Sequence, residues 1–225
     1  MIDFNALFKI TYGLYIVCSG DKSKGNGFIS NTVFQVSSEP AKFAASCNKD
    51  NLTCEMIEKS GNFSVSVLHK DTNAELIGRF GFRSGKDFDK MESLNVTFGE
   101  TGVPIVRDAS IACLEFKVVD QLDVGTHILF IGELVSAELI EKDLEPMTYA
   151  FYREVKKGLA PRNAPTYIDK EKLQEKTAVK EKSIYKCAAC GHIYDSNEEE
   201  IAFEDLPGDW TCPVCGVEKE DFIKV

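Results

Sequence analysis

The sequence lacks several features that would place it in a large class of proteins. No apolar run approaches the roughly 20 residues that a membrane-spanning helix needs. Positive charge is scarce, because 26 Lys and Arg face 36 Asp and Glu and leave a net charge of −10; we therefore expect no nucleic-acid partner. The GxGxxG and Walker patterns are absent, which argues against a Rossmann-type nucleotide domain. With 44% hydrophobic and 28% charged residues, the chain is predicted to be globular rather than disordered, collagen-like or coiled-coil.

Eight cysteines are many for 225 residues, and their positions divide them into two groups. Four are scattered singly, at Cys18, Cys47, Cys54 and Cys113, whereas the others form two Cys-x-x-Cys pairs near the end of the chain. Such pairs in a chain of this length indicate a metal site rather than a disulfide framework. An apolar stretch ends at Cys18, but Asp3 stands where an export signal would be basic. We therefore expect a cytoplasmic protein with reduced thiols.

The composition changes near residue 169. Residues 169–182 read DKEKLQEKTAVKEK, with five Lys against four acidic residues, which predicts a solvated linker. Residues 183–225 carry three Lys against ten acidic residues. The sequence thus predicts a large domain over 1–168, a charged linker over 169–182 and a small domain over 183–225.

Short runs rich in β-branched and aromatic residues predict that the large domain is mainly β. These runs are residues 9–20, 28–38, 42–48, 63–68, 112–124 and 127–140. Their number and the turn-forming residues between them indicate a small barrel or sandwich. Two short helices are predicted over residues 51–60 and 75–80, and we expect them to cap the β core.

The two Cys-x-x-Cys pairs are the strongest motif in the chain. Their members are Cys187, Cys190, Cys212 and Cys215. Each pair places two thiolates on one tight turn, and Gly191 or Gly216 follows the second cysteine. Backbone N–H groups in such a turn point at the sulfurs and stabilise their charge. Four sulfurs give a tetrahedral site that suits iron or zinc, and the spacing alone leaves a structural zinc ribbon open.

Aromatic residues of the small domain favour iron. They are Tyr185, Tyr194, Phe203, Trp210 and Phe222. Together with PGDW at 207–210 and CP at 212–213, they make residues 184–225 resemble rubredoxin, which implies one iron on four cysteines that carries one electron. The 21 residues between the two pairs are fewer than in most rubredoxins. The shortening falls at 197–201, away from the metal turns.

Three polar stretches of the large domain, residues 25–37, 46–68 and 80–90, carry small side chains that a core strand does not need. Asn51 and Thr53 stand at the entry of a predicted helix, where free N–H groups favour an anion. The third stretch offers positive charge, a hydroxyl and close backbone approach in Arg83, Ser84, Gly85 and Lys86. This combination suits a phosphate. The alternatives are that the first pair only caps the helix and that the third stretch is a surface turn.

Taken together, residues 1–168 resemble the flavoredoxin and flavin-reductase family, including TYAFYREVKKGLAPRNAPTY near the end. The resemblance implies an FMN-binding split β-barrel with short helices that forms a homodimer. It implies contacts to the flavin through Asn26, Asn31, Thr32, Ser46, Cys47 and Asn48. It implies phosphate contacts through Thr53, Arg83, Ser84 and Lys86. Tyr167 is implied to pack at the flavin edge.

His127 matches a histidine that in this family lies beside the flavin, where nicotinamide docks. The alternative is a strand histidine that is hydrogen-bonded within the barrel. Hydride transfer from NADH or NADPH to FMN is the chemistry of the cofactors, so no residue needs to be a nucleophile. Cys47 and Cys54 are therefore expected to pack in the core or line the flavin, not to act as reactive thiols.

The two resemblances together imply an oxidoreductase that passes electrons from NADH or NADPH through FMN to the iron. They imply an external electron acceptor, usually a flavodiiron protein that reduces nitric oxide or oxygen. One alternative is an electron carrier whose FMN is reduced by another protein. The other is a non-redox flavin-binding barrel with a structural zinc ribbon. Neither a nucleic acid nor a membrane is expected as a partner.

Overall fold

The β-rich runs of the first 168 residues form one large antiparallel sheet. A computed structural model describes residues 2–169, 173, 183–196, 198–199 and 201–225. The chain divides into two compact units, Met1–Ile168 and Asp169–Val225. Apart from Asp169 and Leu173, the segment predicted as a charged linker lies outside the described residues.

The first unit contains strands and three short helices. The strands are β1 Tyr15–Gly20, β2 Gly25–Ser30, β3 Val33–Ser38, β4 Ala41–Asn48, β5 Asn62–Leu68, β6 Val96–Phe98, β7 Pro104–Val106, β8 Ser110–Asp123 and β9 His127–Leu139. The helices are α1 Leu52–Ser60, α2 Ala74–Phe82 and α3 Tyr149–Glu154. Phe4–Lys9 forms a 3-10 turn. The predicted mainly β class is confirmed.

Seven strands form the large sheet in the order β2-β1-β5-β8-β9-β4-β3, and every neighbouring pair is antiparallel. Its two edge strands, β2 and β3, follow each other in the chain and are joined by Asn31 and Thr32. The β-rich run over 28–38 therefore contains the end of β2 and the whole of β3 rather than one strand. At Asn31 and Thr32 the chain passes from one edge of the sheet to the other. There the carbonyl of Thr32 accepts from the Ser46 N–H of β4 (3.2 Å), and the Asn31 amide donates to Thr166 (2.7 Å).

The two faces of the sheet bury separate apolar clusters. On β1, Ile16 packs with α2, whereas Val17 packs with the aromatic residues of β5 and β8. Because successive strand residues point to opposite faces, a strand covered on both sides is buried along its length. The rings of Phe63 and Phe116 stack at 4.9 Å in the second cluster. A Cβ at Gly132 would lie 2.6 Å from Phe63, so this close approach requires glycine.

The two predicted helices are present with slightly different ends. Asn51 is the N-cap of α1, where its side chain accepts from the Thr53 N–H (3.0 Å), and Gly61 ends the helix at φ 68°. Helix α2 begins after Asn73, whose side chain accepts from the Leu76 N–H (2.8 Å). Side-chain acceptors at an N-cap satisfy N–H groups that have no partner inside the helix. Helix α3 was not predicted, because only six residues form it.

The second unit is a three-stranded sheet, in the order β11-β10-β12, with an aromatic core. The strands are β10 Ile184–Cys187, β11 Ile193–Asp195 and β12 Phe222–Lys224. The five aromatic residues noted in the sequence pack together, with Tyr185 and Phe203 stacked at 4.1 Å. Among the helices that the structure describes in the two units, none is long and apolar enough to cross a membrane.

Candidate functional site

Two turns of the second unit present the four cysteines in the same way. In the first, Cys187 N–H donates to the His192 carbonyl (2.8 Å), and Gly191 N–H donates to the Cys187 carbonyl (2.9 Å). In the second, the N–H groups of Cys212 and Gly216 make the equivalent bonds at 2.8 Å. Both glycines have a positive φ, 77° and 74°, a conformation that glycine adopts without strain. The backbone therefore sets the direction of each sulfur.

The four sulfurs are close enough to share one metal ion. The Sγ atoms of Cys187, Cys190, Cys212 and Cys215 all lie within 4.8 Å of one another. Two pairs, Cys187–Cys215 and Cys190–Cys212, are 3.7 Å apart. Metal–thiolate bonds of about 2.3 Å in a tetrahedron place neighbouring sulfurs about 3.8 Å apart. The residues present therefore fit a single tetrahedral ion.

The sulfurs differ in exposure. Cys187 and Cys212 are buried, whereas Cys190 and Cys215 are exposed. Burial raises the pKa of the Cys212 thiol. Hydrogen bonds from the Val214 and Cys215 N–H groups, together with those from the Cys215 and Cys190 side chains, outweigh burial and bring the pKa down to about 7. The thiolate is the form that binds a metal. The exposed pair therefore leaves one edge of the four-sulfur site open to solvent.

A polar cleft of about 280 Å³ lies in the first unit. Seven of the predicted flavin-contact residues line it: Asn31, Ser46, Asn48, Asn51, Arg83, Ser84 and Gly85. They come from the residue after β2, from β4, from the N-cap of α1 and from the segment after α2. The structure thus brings the three polar stretches of the sequence to one place. Together they form a cleft with hydroxyls, amides and a guanidinium on its walls.

One end of the polar cleft is cationic. The Arg83 guanidinium lies 4.6 Å from the centre of the Phe88 ring, a contact that orients it. A Cβ at Gly85 would come within 2.2 Å of the Asn26 amide, so the chain can pass here only with glycine. Ser84 Oγ accepts from the Lys86 N–H (3.1 Å). This loop carries the positive charge and the hydroxyl that a phosphate requires.

Lys90 also lines the polar cleft, although the sequence did not single it out. It is 3% exposed, and its ammonium donates to the carbonyls of Gly27 (2.9 Å) and Phe80 (3.2 Å). Burial lowers the pKa of Lys90 to about 8. Within the described residues, no carboxylate forms an ion pair with it. A buried ammonium with only neutral acceptors suits an anionic ligand, because buried charges are normally paired.

Six predicted flavin-contact residues do not line the polar cleft: Asn26, Thr32, Cys47, Thr53, Lys86 and Tyr167. Asn26 and Thr53 support it from behind, since the Asn26 amide donates to Thr53 Oγ1 (3.1 Å) where α1 begins. Cys47 is buried in the core, and burial raises the pKa of its thiol. The Lys86 ammonium lies 3.2 Å from Glu55 on the surface.

A second cavity of about 430 Å³, here called the side cavity, adjoins the polar cleft. His127 and Tyr167 line it, and the two cavities share Ser46, Asn48, Ala164 and Pro165. Residues 161–167, here called the strap, therefore form a wall of both. The strap contains two turns. In the first, the Ala164 N–H donates to the Pro161 carbonyl (2.9 Å), and in the second, the Tyr167 N–H donates to the Ala164 carbonyl (3.0 Å).

His127 is hydrogen-bonded on both ring nitrogens. Its Nε2 lies 3.1 Å from the Asn163 carbonyl of the strap, and its Nδ1 lies 2.8 Å from Thr126 Oγ1. Because a carbonyl only accepts, Nε2 is the donor to Asn163. The Asn48 amide donates to the same Asn163 carbonyl (3.3 Å). The strap is thus attached to β4 and β9. Asn163 carries no recognisable sequence signal beyond its position between Pro161 and Pro165.

Comparisons with known proteins agree with this architecture. Residues 7–158 match the flavin reductase like domain, and residues 184–222 match rubredoxin. The chain therefore belongs to the flavin reductase-like family, with a rubredoxin domain at its C-terminal end. It combines a flavin-binding fold with a four-cysteine rubredoxin iron site, which defines an electron-transferring oxidoreductase. The predicted iron site is confirmed, and the zinc ribbon is not supported.

Two curated relatives and one solved structure are informative. The chain is 42% identical to a high molecular weight rubredoxin from Moorella thermoacetica over 100% of both chains. It is 48% identical to a ferric-chelate reductase (NAD(P)H) from Archaeoglobus fulgidus over 75% of this chain and 99% of that protein. The crystal structure of flavoredoxin from Methanosarcina acetivorans is similar with a TM-score of 0.52 at 25% identity, covering 59% of this chain and 70% of that one.

Proposed function

We propose that the protein oxidises NADH or NADPH, passes the electrons through FMN to its iron site, and delivers them to a separate redox protein. The observation that carries this proposal is the pair of joined cavities in a chain that also contains the rubredoxin site. The 48% identity to a reductase named for NAD(P)H supports the nicotinamide donor. When bound, a flavin accepts a hydride and releases single electrons, which a one-iron site requires.

We propose FMN as the flavin because the polar cleft has one cationic end. Arg83, Ser84 and Lys90 supply a guanidinium, a hydroxyl and a buried ammonium there, which suits a terminal phosphate. Asn31, Ser46 and Asn48 lie along the rest of the cleft and offer hydrogen bonds to a ring system. Here the chain binds and orients the flavin and excludes water from it. His127 and Tyr167 face the side cavity, where the nicotinamide would approach.

We propose that the first unit forms a homodimer. A groove of about 860 Å³ crosses the sheet and has mainly apolar walls, including Tyr12, Val33, Phe34 and Phe43. Phe34 and the nearby Val36 on edge strand β3 are 51% and 47% exposed. Apolar surface of this extent favours burial against a second copy. Measurement of the molar mass in solution tests this.

The acceptor is proposed to be a flavodiiron protein or another redox protein with a basic docking surface. The exposed edge of the metal site and the acidic composition of residues 183–225 support a brief, charge-steered contact. The four single cysteines outside the metal site, Cys18, Cys47, Cys54 and Cys113, are buried thiols, which fits the reducing cytoplasm that we propose as the compartment.

An anaerobic titration of the purified protein with NADH and NADPH, after assay of iron and flavin content, tests the function. We expect one iron and one FMN per chain, bleaching of the flavin absorbance by the dinucleotide, and then loss of the ferric-thiolate absorbance. A flavin that stays oxidised with both dinucleotides but accepts electrons from a reduced protein would instead establish a pure electron carrier. Zinc in place of iron in protein made with ample iron would contradict the electron path.

A further inference from the structure

The side cavity contains a single permanent charge. Nine described residues line it, and Arg162 is the only Lys, Arg, Asp or Glu among them. Arg162 is exposed, and within the described part of the chain it makes no ion pair. The chain as a whole has a net charge of −10. The free guanidinium of Arg162 therefore places a positive charge in this cavity, although the protein as a whole is negatively charged.

The backbone fixes Arg162 relative to His127. Arg162 lies inside the turn that Pro161 and Ala164 close at 2.9 Å. The carbonyl of the next residue, Asn163, is held by the His127 ring and by the Asn48 amide. The guanidinium thus extends from the strap, which forms a wall of both cavities.

The charge of Arg162 is not needed for a flavin phosphate, because Arg83 and Lys90 already occupy that end of the polar cleft. A nicotinamide that gives a hydride to a ring must approach it to about 3–3.5 Å, so its cavity must be continuous with that of the ring. The side cavity meets this condition through its four shared residues. A nicotinamide there would have the diphosphate of the dinucleotide as its nearest anion.

We propose that Arg162 binds the diphosphate of NADH and NADPH in the side cavity, an inference that rests on the reductase function proposed above. The planar guanidinium donates two parallel hydrogen bonds to phosphate oxygens, a geometry that lysine cannot reproduce. Because both dinucleotides carry the diphosphate, Arg162 raises the affinity for both. It does not select NADPH through the additional 2′-phosphate.

The test compares Arg162→Gln and Arg162→Lys with Lys49→Gln in the flavin-loaded full-length protein. Lys49 is a matched control, because it pairs with Asp123 (2.6 Å) beside the same cavity, and its N–H donates to the Thr126 carbonyl, but its side chain does not line the cavity. Calorimetry measures the Kd for NAD⁺ and NADP⁺. Anaerobic stopped flow measures flavin reduction by NADH, by NADPH and by N-benzyl-dihydronicotinamide, which carries no phosphate.

We expect Arg162→Gln to raise both Kd values about 5- to 30-fold, less than a buried charge-assisted hydrogen bond would give, because Arg162 is exposed to solvent. The increase should be smaller in Arg162→Lys. Lys49→Gln should change them by less than about 2-fold, since its pair is exposed. Reduction by the benzyl compound should be unchanged. An effect on NADP⁺ alone, no effect on either dinucleotide, or an equal loss with the benzyl compound would each overturn the role of Arg162. If neither dinucleotide reduces the wild-type flavin, the reductase function itself fails.

Discussion

Substitution of Lys90 by Met tests the cationic end of the polar cleft. The ammonium is buried and bonded to two carbonyls. Lowering its pKa from 10.5 to about 8 corresponds to about 3 kcal/mol of destabilisation in the flavin-free protein at pH 7, which Met removes. Met also removes the ammonium donor from the Gly27 and Phe80 carbonyls, at about 1–3 kcal/mol each. Because these effects oppose each other, we expect the free energy of unfolding of the apoprotein to change by less than about 3 kcal/mol.

Flavin binding should respond much more clearly than stability. Loss of a charge-assisted hydrogen bond of about 1.5–3 kcal/mol raises the Kd for FMN by roughly 10- to 150-fold. In the wild type, the ammonium form binds the phosphate, so FMN affinity should fall as the pH rises through about 8. In Lys90→Met this pH dependence should be absent. Flavin fluorescence quenching between pH 6.5 and 9.5 measures both effects.

The pH dependence of stability has the opposite sign. Between the folded pKa of about 8 and the unfolded value of 10.5, the unfolded chain binds more protons at Lys90 than the folded one does. The Lys90 contribution to apoprotein stability therefore increases with pH across this window. Lys86→Met is the comparison variant, since Lys86 is exposed and pairs with Glu55. An unchanged FMN affinity and pH profile in Lys90→Met, or a larger loss of affinity in Lys86→Met, would refute the assignment of Lys90.

Three further predictions address the other parts of the site. Cys212→Ala should abolish the ferric-thiolate absorbance and leave FMN bound, because Cys212 belongs to the second unit; loss of FMN as well would contradict the separation of the two sites. His127→Ala should slow flavin reduction by NADH about 10- to 100-fold through loss of orientation, with a smaller effect on the Kd for FMN, and unchanged reduction kinetics would reduce His127 to a structural hydrogen-bond partner of the strap. Electron transfer to an external acceptor should slow steeply between about 0.02 and 0.5 M salt as screening increases, while reduction by NADH should change little, and a flat series would exclude the acidic surface as the docking site.

Local sequence signals were sufficient to predict much of this structure. The Cys-x-x-Cys turns could be predicted because each depends on a cysteine spacing and a following glycine within six residues. Helix α1 could be predicted because Asn51 and Gly61 are local cap signals. The clustering of the three polar stretches followed from the family resemblance and not from periodicity.

The features that the sequence did not show depend on contacts between distant residues. Lysine is a residue type that normally lies at the surface. Lys90 is buried because the carbonyls of Gly27 and Phe80 accept hydrogen bonds from its ammonium. At Asn31 and Thr32, where the chain passes between the edges of the sheet, the hydrogen-bond partners Thr166 and Ser46 are far away in the chain. The strap shows no regular pattern of hydrophobic residues. Its position is set by hydrogen bonds from side chains of β4 and β9. Pattern analysis of one segment cannot register such partners.

The two cysteine turns repeat the same backbone hydrogen bonds, one around Cys187 and the other around Cys212. Four ligands are thereby fixed by main-chain geometry, and the side chains inside the turns, such as Ala189 and Val214, face solvent. Val214 is 66% exposed. Substitutions at these exposed positions can therefore change which protein docks at the exposed edge of the metal site. The coordination and the electron-carrying capacity of the site stay constant. Partner choice and metal chemistry are separable traits in this module.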